Sequence, residues 1–310
     1  MVCKLDLGRG AYEADSIDVE ELGSFSSICM WVFTEKELLD SPSRRDGMAP
    51  AHVELYRIRC CEFIEKLGAI FRLPLLVVAS GKVFFHRFFA LQSYKMYDAW
   101  LIAATCLFLA AKVEEHYMKV VDYTKHYLAH RKRLSQDPKI NSAIRPSMPT
   151  SPTIEAETEM ILFTECIVLH VLAYDLNIVH PYTFVANYVT AALNSISANT
   201  EANTKTIKKA AWSFINDSSK STVCLRFEPQ VITAAAVYLA GCYEDMWPTN
   251  LNTTTETKWS SIFNIAHDAL QASVALILTT YSRVEYHKNR PLAPGIQTLL
   301  LHHDIPKSTM

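Results

Sequence analysis

The sequence predicts an all-α protein built from two repeated five-helix units. Three observations predict it. Apolar residues recur at three- and four-residue spacings through most of the 310 residues, and no segment shows sustained period-2 alternation bounded by turns. Glycine is scarce, with eight in the chain, which suits long helices better than hairpins or phosphate loops. A fifteen-residue pattern also occurs twice at the same place in the helix order. Half of the residues are hydrophobic, enough for two cores at about 100–150 residues per domain.

The elements follow in order. Residues 1–28 lack strong periodicity and are expected to be disordered; Met1–Leu22 has no apolar core, so no signal peptide is expected. Residues 29–47 form an N-terminal segment. Trp31 and Phe33 precede a short helical pattern through Leu39, and Ser41-Pro42-Ser43 is expected to end it. The first unit spans 48–179. Its first helix opens at Pro50, a favoured first-turn residue. Its stripe is Leu55, Tyr56, Cys60, Phe63, Ile64, Leu67, Ile70 and Phe71. A second helix carries Val77, Phe84, Phe88 and Leu91, with Gly81 in its interior for close packing. The third, Ala99 to about Val113, is apolar on all sides and too short to cross a bilayer, so it is expected at the centre. A fourth runs from Val120 towards Leu134, and its basic end, Arg131-Lys132-Arg133, reads as a solvated helix end or a weak nuclear-import signal. Residues 135–153, with four prolines, form a loop, and a fifth helix spans Glu155–Leu176. The second unit, 180–282, repeats the series. Its helices are Pro181–Ile196, Lys205 to about Ser218, Pro229–Gly241, a short one at Trp259–Phe263, and Ile265–Ser282. Residues 283–310 are a tail.

The repeat sets Leu101–Glu115 over Val231–Asp245. Ala104 faces Ala234, Phe108 faces Tyr238, and Glu114-Glu115 face Glu244-Asp245. Ala-rich helices resemble one another by chance, but the shared acidic ends and shared helix order favour duplication. Lys112 faces Cys242, so any function of that lysine belongs to the first unit.

Composition excludes several classes. The net charge of −2 gives no global attraction to nucleic acid or anionic membrane. The eight cysteines show no disulfide framework and no zinc spacing; Cys106, Cys166 and Cys242 read as small buried hydrophobes, so a reducing compartment is expected. No Walker loop, dinucleotide glycine pattern, HExxH or G-x-S-x-G occurs, so neither an enzyme nor a cofactor or metal site is expected. Ser41 and Ser151 precede prolines and read as turn residues or kinase sites.

Glu165 is the most informative residue. Its helical neighbours Ile161, Leu162, Val168 and Leu169 are all apolar, so its carboxylate needs a partner. Lys112, at the end of the central helix, is the natural one, as a structural ion pair or as part of a binding site.

The segments LAAKVEE at Leu109–Glu115, ECIVLHVLAYDL at Glu165–Leu176 and HPY at His180–Tyr182 resemble the cyclin box. The resemblance runs from Trp31 to about Ser282. It includes Phe85-His86-Arg87-Phe88 in the second helix, Trp31–Leu38 and Ser41–Arg45 at the N-terminus, and Trp212–Ser218 with Phe227-Glu228-Pro229 in the second unit. These narrow it to transcriptional cyclins of the cyclin T and K group. It implies two tandem cyclin boxes and a nuclear regulatory subunit without catalytic activity. The partner implied is a cyclin-dependent kinase that phosphorylates the C-terminal repeats of RNA polymerase II, in an assembly of the positive transcription elongation factor b type. It implies kinase contacts at Lys112, Glu165, Glu115 and Tyr174, with Phe108 and Glu114 beside them. The first helix, Arg59-Cys60-Cys61-Glu62-Phe63, lacks the substrate-docking motif of cell-cycle cyclins. Transcription factor IIB-like proteins use two such folds to bind promoter DNA and are the alternative. Their basic surface and zinc ribbon have no counterpart here, where the N-terminal region offers only Cys3 and Cys29.

Overall fold

The computed structural model describes residues 31–137, 140, 142, 144–146, 153–198, 200–247, 256–282 and 294–303; the expected disordered segment 1–28, and Ser151, lie outside them. Among the described residues every regular element is helical.

Two short helices, α1 (Glu35–Leu39) and α2 (Pro42–Arg45), precede the first unit. Thr34 and Glu37 cap α1 reciprocally. Ser41-Pro42 does not only stop α1: Pro42 occupies the first position of α2, where its missing N–H is no loss. Ser41 is buried there, which leaves the turn reading for it.

The first unit comprises α3 (Pro50–Ile70), α4 (Leu75–Leu91), α5 (Ala99–Val113), α6 (Val120–Gln136) and α7 (Ile154–Val171). Helix α5 is central, buried on every side and packed against α3, α4, α6 and α7. Phe63, Phe84, Phe85, Phe88 and Tyr123 enclose it, each contributing roughly 1.5–3 kcal/mol by leaving water. Gly81 has the close approach expected of it: a Cβ there would lie 3.1 Å from the Leu107 backbone. The described part of the 135–153 loop buries Ile140 and Ile144 against Leu55, and the Ile144 carbonyl accepts from Trp100 Nε1 at 3.1 Å.

Three expectations are corrected in this unit. Helix α7 ends at Val171 and not at Leu176, because Leu172 turns into the core and Ala173 and Tyr174 adopt left-handed backbone angles. Cys166 is exposed, since it lies on the outer face of α7. Arg131 is not solvated. It is buried and bonds Tyr127 Oη and Asp98, whose carboxylate also caps the N-terminus of α5.

The second unit repeats the plan. A 3-10 turn (Pro181–Phe184) leads into α8 (Val185–Ser195), followed by α9 (Glu201–Ser218), the short α10 (Val223–Arg226), central α11 (Pro229–Tyr243), α12 (Glu256–Phe263) and α13 (His267–Ser282). Central helices α5 and α11 end in one backbone turn. Glu115 and Asp245 take φ of 58° and 54°, and the next N–H returns to Ala111 O at 2.7 Å and to Gly241 O at 2.8 Å. Duplication therefore extends to conformation. Past residue 282, where the sequence suggested only a tail, α14 (Pro294–His302) buries Leu299 and Leu300 in the second core.

The units interlock. Leu225 of α10 sits in the first core, and Ala79 of α4 sits in the second. The N-terminal strap crosses both: Phe33 N–H donates to Leu225 O at 2.7 Å, and Trp31 Nε1 donates to Asp175 Oδ2 at 2.8 Å with Arg87 over its ring.

Candidate partner-binding site

Lys112 leaves the last turn of α5, where a cation meets the carbonyl end of the helix dipole. Glu165 stands midway along α7, among apolar neighbours. Packing of α5 on α7 brings them together, with Lys112 Nζ 2.7 Å from Glu165 Oε2. The pair is asymmetric. The Glu165 side chain is 11% exposed and that of Lys112 47%, so a buried carboxylate anchors an ammonium that still faces solvent. The ammonium also rests 4.6 Å above the Phe108 ring. One face of Lys112 is thus fixed, and its remaining N–H donors are available to a partner.

The other predicted residues divide. Glu115 is exposed at the left-handed turn that ends α5. Tyr174 is exposed beyond α7 and packs edge-on against His170. The Glu115 N–H donates to Lys112 O at 3.1 Å, but neither side chain joins the Lys112–Glu165 ion pair among the described residues. Phe108 is 3% exposed and forms the floor beneath Lys112. Glu114 turns inward, and its Oε1 accepts from Ser80 Oγ at 2.8 Å. Ser80 Oγ also lies 2.9 Å from His180 Nε2. With its proton given to Glu114, the hydroxyl accepts from the imidazole. Carboxylate and imidazole therefore both meet the hydroxyl, unlike a nucleophile relay in which the imidazole lies between them. Burial lowers the His180 pKa, against the pull of Glu114. The result ties the turn carrying Glu115 to the first residue of the second unit.

Sequence reasoning missed a second polar group. Lys82, buried within α4, reaches Glu65 Oε1 at 2.6 Å and Ser219 Oγ at 2.8 Å across the unit boundary. Lys220 approaches the other Glu65 oxygen at 3.2 Å. One turn on, His86 Nε2 donates to Ser219 O at 2.9 Å. The signal was available, since Lys82 and His86 stand four apart in a helix whose remaining residues, Ser80 and Arg87 excepted, are apolar or glycine. It also missed Phe163, 64% exposed on the outer face of α7. Periodicity marks that residue only as apolar.

Comparison with known proteins gives one pattern. The cyclin N-terminal domain model matches residues 28–177, and the cyclin C-terminal domain model matches 179–289. Cyclin pch1 of Schizosaccharomyces pombe is 29% identical, over 83% of this chain and 70% of that protein. Cyclin-T1-3 of Oryza sativa subsp. japonica is 30% identical over 82% of this chain, and human Cyclin-K is 32% identical over 68%. The chain spans about half of the former and a third of the latter, at 48% and 33% of their lengths. Among solved structures, a chain of the yeast RNA Pol II CTD kinase CTDK-1 complex superposes with a TM-score of 0.61 at 17% identity, covering 90% of this chain and 84% of that one. A chain of the CAK complex of Chaetomium thermophilum gives 0.60 at 15% identity, covering 90% and 87%. At these identities the likeness is one of fold.

Proposed function

This chain belongs to the cyclin family, and we propose that it is the regulatory subunit of a transcriptional cyclin-dependent kinase acting on the C-terminal repeats of RNA polymerase II. The finer reading is an elongation cyclin of the positive transcription elongation factor b type, nuclear and itself without catalytic activity. Relatives named as cyclins T and K, and fold neighbours taken from polymerase-repeat kinase complexes, support it.

The observation that carries this reading is the Lys112–Glu165 pair. A purely structural pair has no need of an exposed end, yet here the carboxylate is buried and the ammonium is presented. In the proposed complex Lys112 and Glu165 bond main-chain groups beside the kinase's mobile regulatory helix, Phe108 supports Lys112 from below, Glu114 braces the turn, and Glu115 and Tyr174 extend the contact. Holding that helix aligns the kinase's Lys–Glu pair and metal-binding residues, and the cyclin favours the active state because it binds that state better.

The test is co-purification of tagged wild type beside Lys112→Glu, Glu165→Lys, the double swap and an exposed-surface control, followed by kinase assay on polymerase repeat peptides. Each single variant, if still folded, is expected to lose the kinase at least tenfold, the effect of about 1.4 kcal/mol. The double swap restores the internal pair with reversed charge and is expected to remain unbound. Recovery of the kinase by the double swap would make the pair structural. Recovery of promoter DNA or initiation factors in place of a kinase would move the chain to the IIB-like class.

A further inference from the structure

The central helices of the two boxes end in the same turn, but the aromatic residue just beyond it is placed oppositely. The repeat sets Ala111 against Gly241 and Tyr117 against Trp247. In box two Trp247 is 5% exposed and folds back over its helix, its indole N–H donating to Tyr238 O at 2.8 Å. A Cβ on Gly241 would lie 1.7 Å from that ring, so the seat exists only because residue 241 is glycine. In box one Ala111 carries that methyl. Tyr117 stands in solvent at 87% exposure, more than any other large apolar side chain among the described residues.

Its surroundings indicate what it meets. Glu115, two residues earlier, is exposed and makes no ion pair among the described residues. The backbone between them is fixed, with His116 N–H donating to Ala111 O at 2.7 Å and its Nδ1 bonded to Glu114 O at 2.8 Å. A carboxylate and an open aromatic face on a pinned turn match the two ways a guanidinium is recognised, by charge-assisted hydrogen bonds and by the ring quadrupole. Because the turn is already ordered, little conformational freedom is lost on binding.

We propose that Tyr117 and Glu115 together receive an arginine side chain of the kinase, making Tyr117 a specificity-determining contact on the turn that ends the helix carrying Lys112. This rests on the kinase-binding reading above. The probe is the purified kinase subunit identified with the wild-type chain, and affinity is measured at low and high salt. Tyr117→Leu, which keeps apolar area but removes the ring, is expected to weaken binding about tenfold, while Tyr117→Phe stays within about twofold. Glu115→Gln is expected to weaken binding and flatten its salt dependence. Thermal melting should not move for any of them, since both side chains are exposed. Wild-type affinity for Tyr117→Leu would overturn the proposal, and if Lys112→Glu still abolished binding the kinase-binding reading would stand. Wild-type affinity for Lys112→Glu, or no kinase to isolate, would overturn both.

Discussion

A charge carried by a helix into apolar surroundings must find a partner, and that rule accounts for much of what was legible at single residues. It singled out Glu165 from four apolar neighbours and named Lys112 as its partner, and the two lie 2.7 Å apart. Applied equally to α4 it would have flagged Lys82 and His86. It failed at Arg131 for a different reason. Arg131 sits in a basic run with exposed Lys132 and Arg133, and a run reads as solvent even when one member points inward. Arg131→Ala is expected to cost about 2–4 kcal/mol in urea unfolding, because Asp98 loses its partner beside the cap of α5. Arg131→Lys should recover only part of this, since an ammonium cannot bridge Tyr127 and Asp98 as a planar fork does.

At the scale of elements, helix existence was legible and helix ends were not. Helix α9 begins at Glu201, four residues before the expected Lys205, because Thr200 caps it with a hydroxyl that accepts from Asn203 N–H. The end of α7 was overrun because Leu172, Ala173 and Tyr174 carry no glycine or proline to mark it. The repeat between α5 and α11 was legible from matched residues, but its most informative mismatch, Ala111 against Gly241, gains meaning only with Trp247 in place. Gly241→Ala is expected to destabilise the chain by about 1–3 kcal/mol in chemical denaturation, because the new methyl strikes the indole. Adding Trp247→Ala should produce less than the sum of the two single losses, as coupled neighbours do.

Across the whole molecule, the boxes meet through buried polar groups that respond to acid. Burial, with Arg57 and Lys82 adding to it, pushes the His86 pKa down to about 3 despite its bond to Ser219. Inside the first box, burial, with Lys66 and Arg133, likewise pushes His130 down to about 4. Both fall below the unfolded value of about 6.5. The unfolded chain therefore binds more protons, so stability is full above that value and declines as pH falls towards the folded pKa values. Glu65 differs: burial would raise its pKa, but Lys82 and Lys220 overcome this and hold it below the ordinary value. Its contribution persists above its unfolded pKa and is lost only in more acidic solution. Between about pH 6 and pH 5 the decline therefore belongs to the histidines, and fully enclosed His86 contributes about 1.4 kcal/mol per pH unit, with half-buried His130 adding less because solvent screens it. His86→Gln should reduce that slope by about one such increment in denaturation series, and an unchanged slope would show that His86 is already protonated in the folded protein.

The strap that joins the boxes has a consequence for how the protein is made. Trp31 must wait for Asp175, 144 residues later in the chain, and Phe33 waits longer still for Leu225. At ribosomal speeds of about 5–20 residues per second, the first of these intervals lasts roughly 7–30 seconds. Throughout it the Trp31 indole lacks its carboxylate acceptor and the Phe33 N–H its carbonyl, so the bonds that fasten the strap across both boxes close only after the first box has been made.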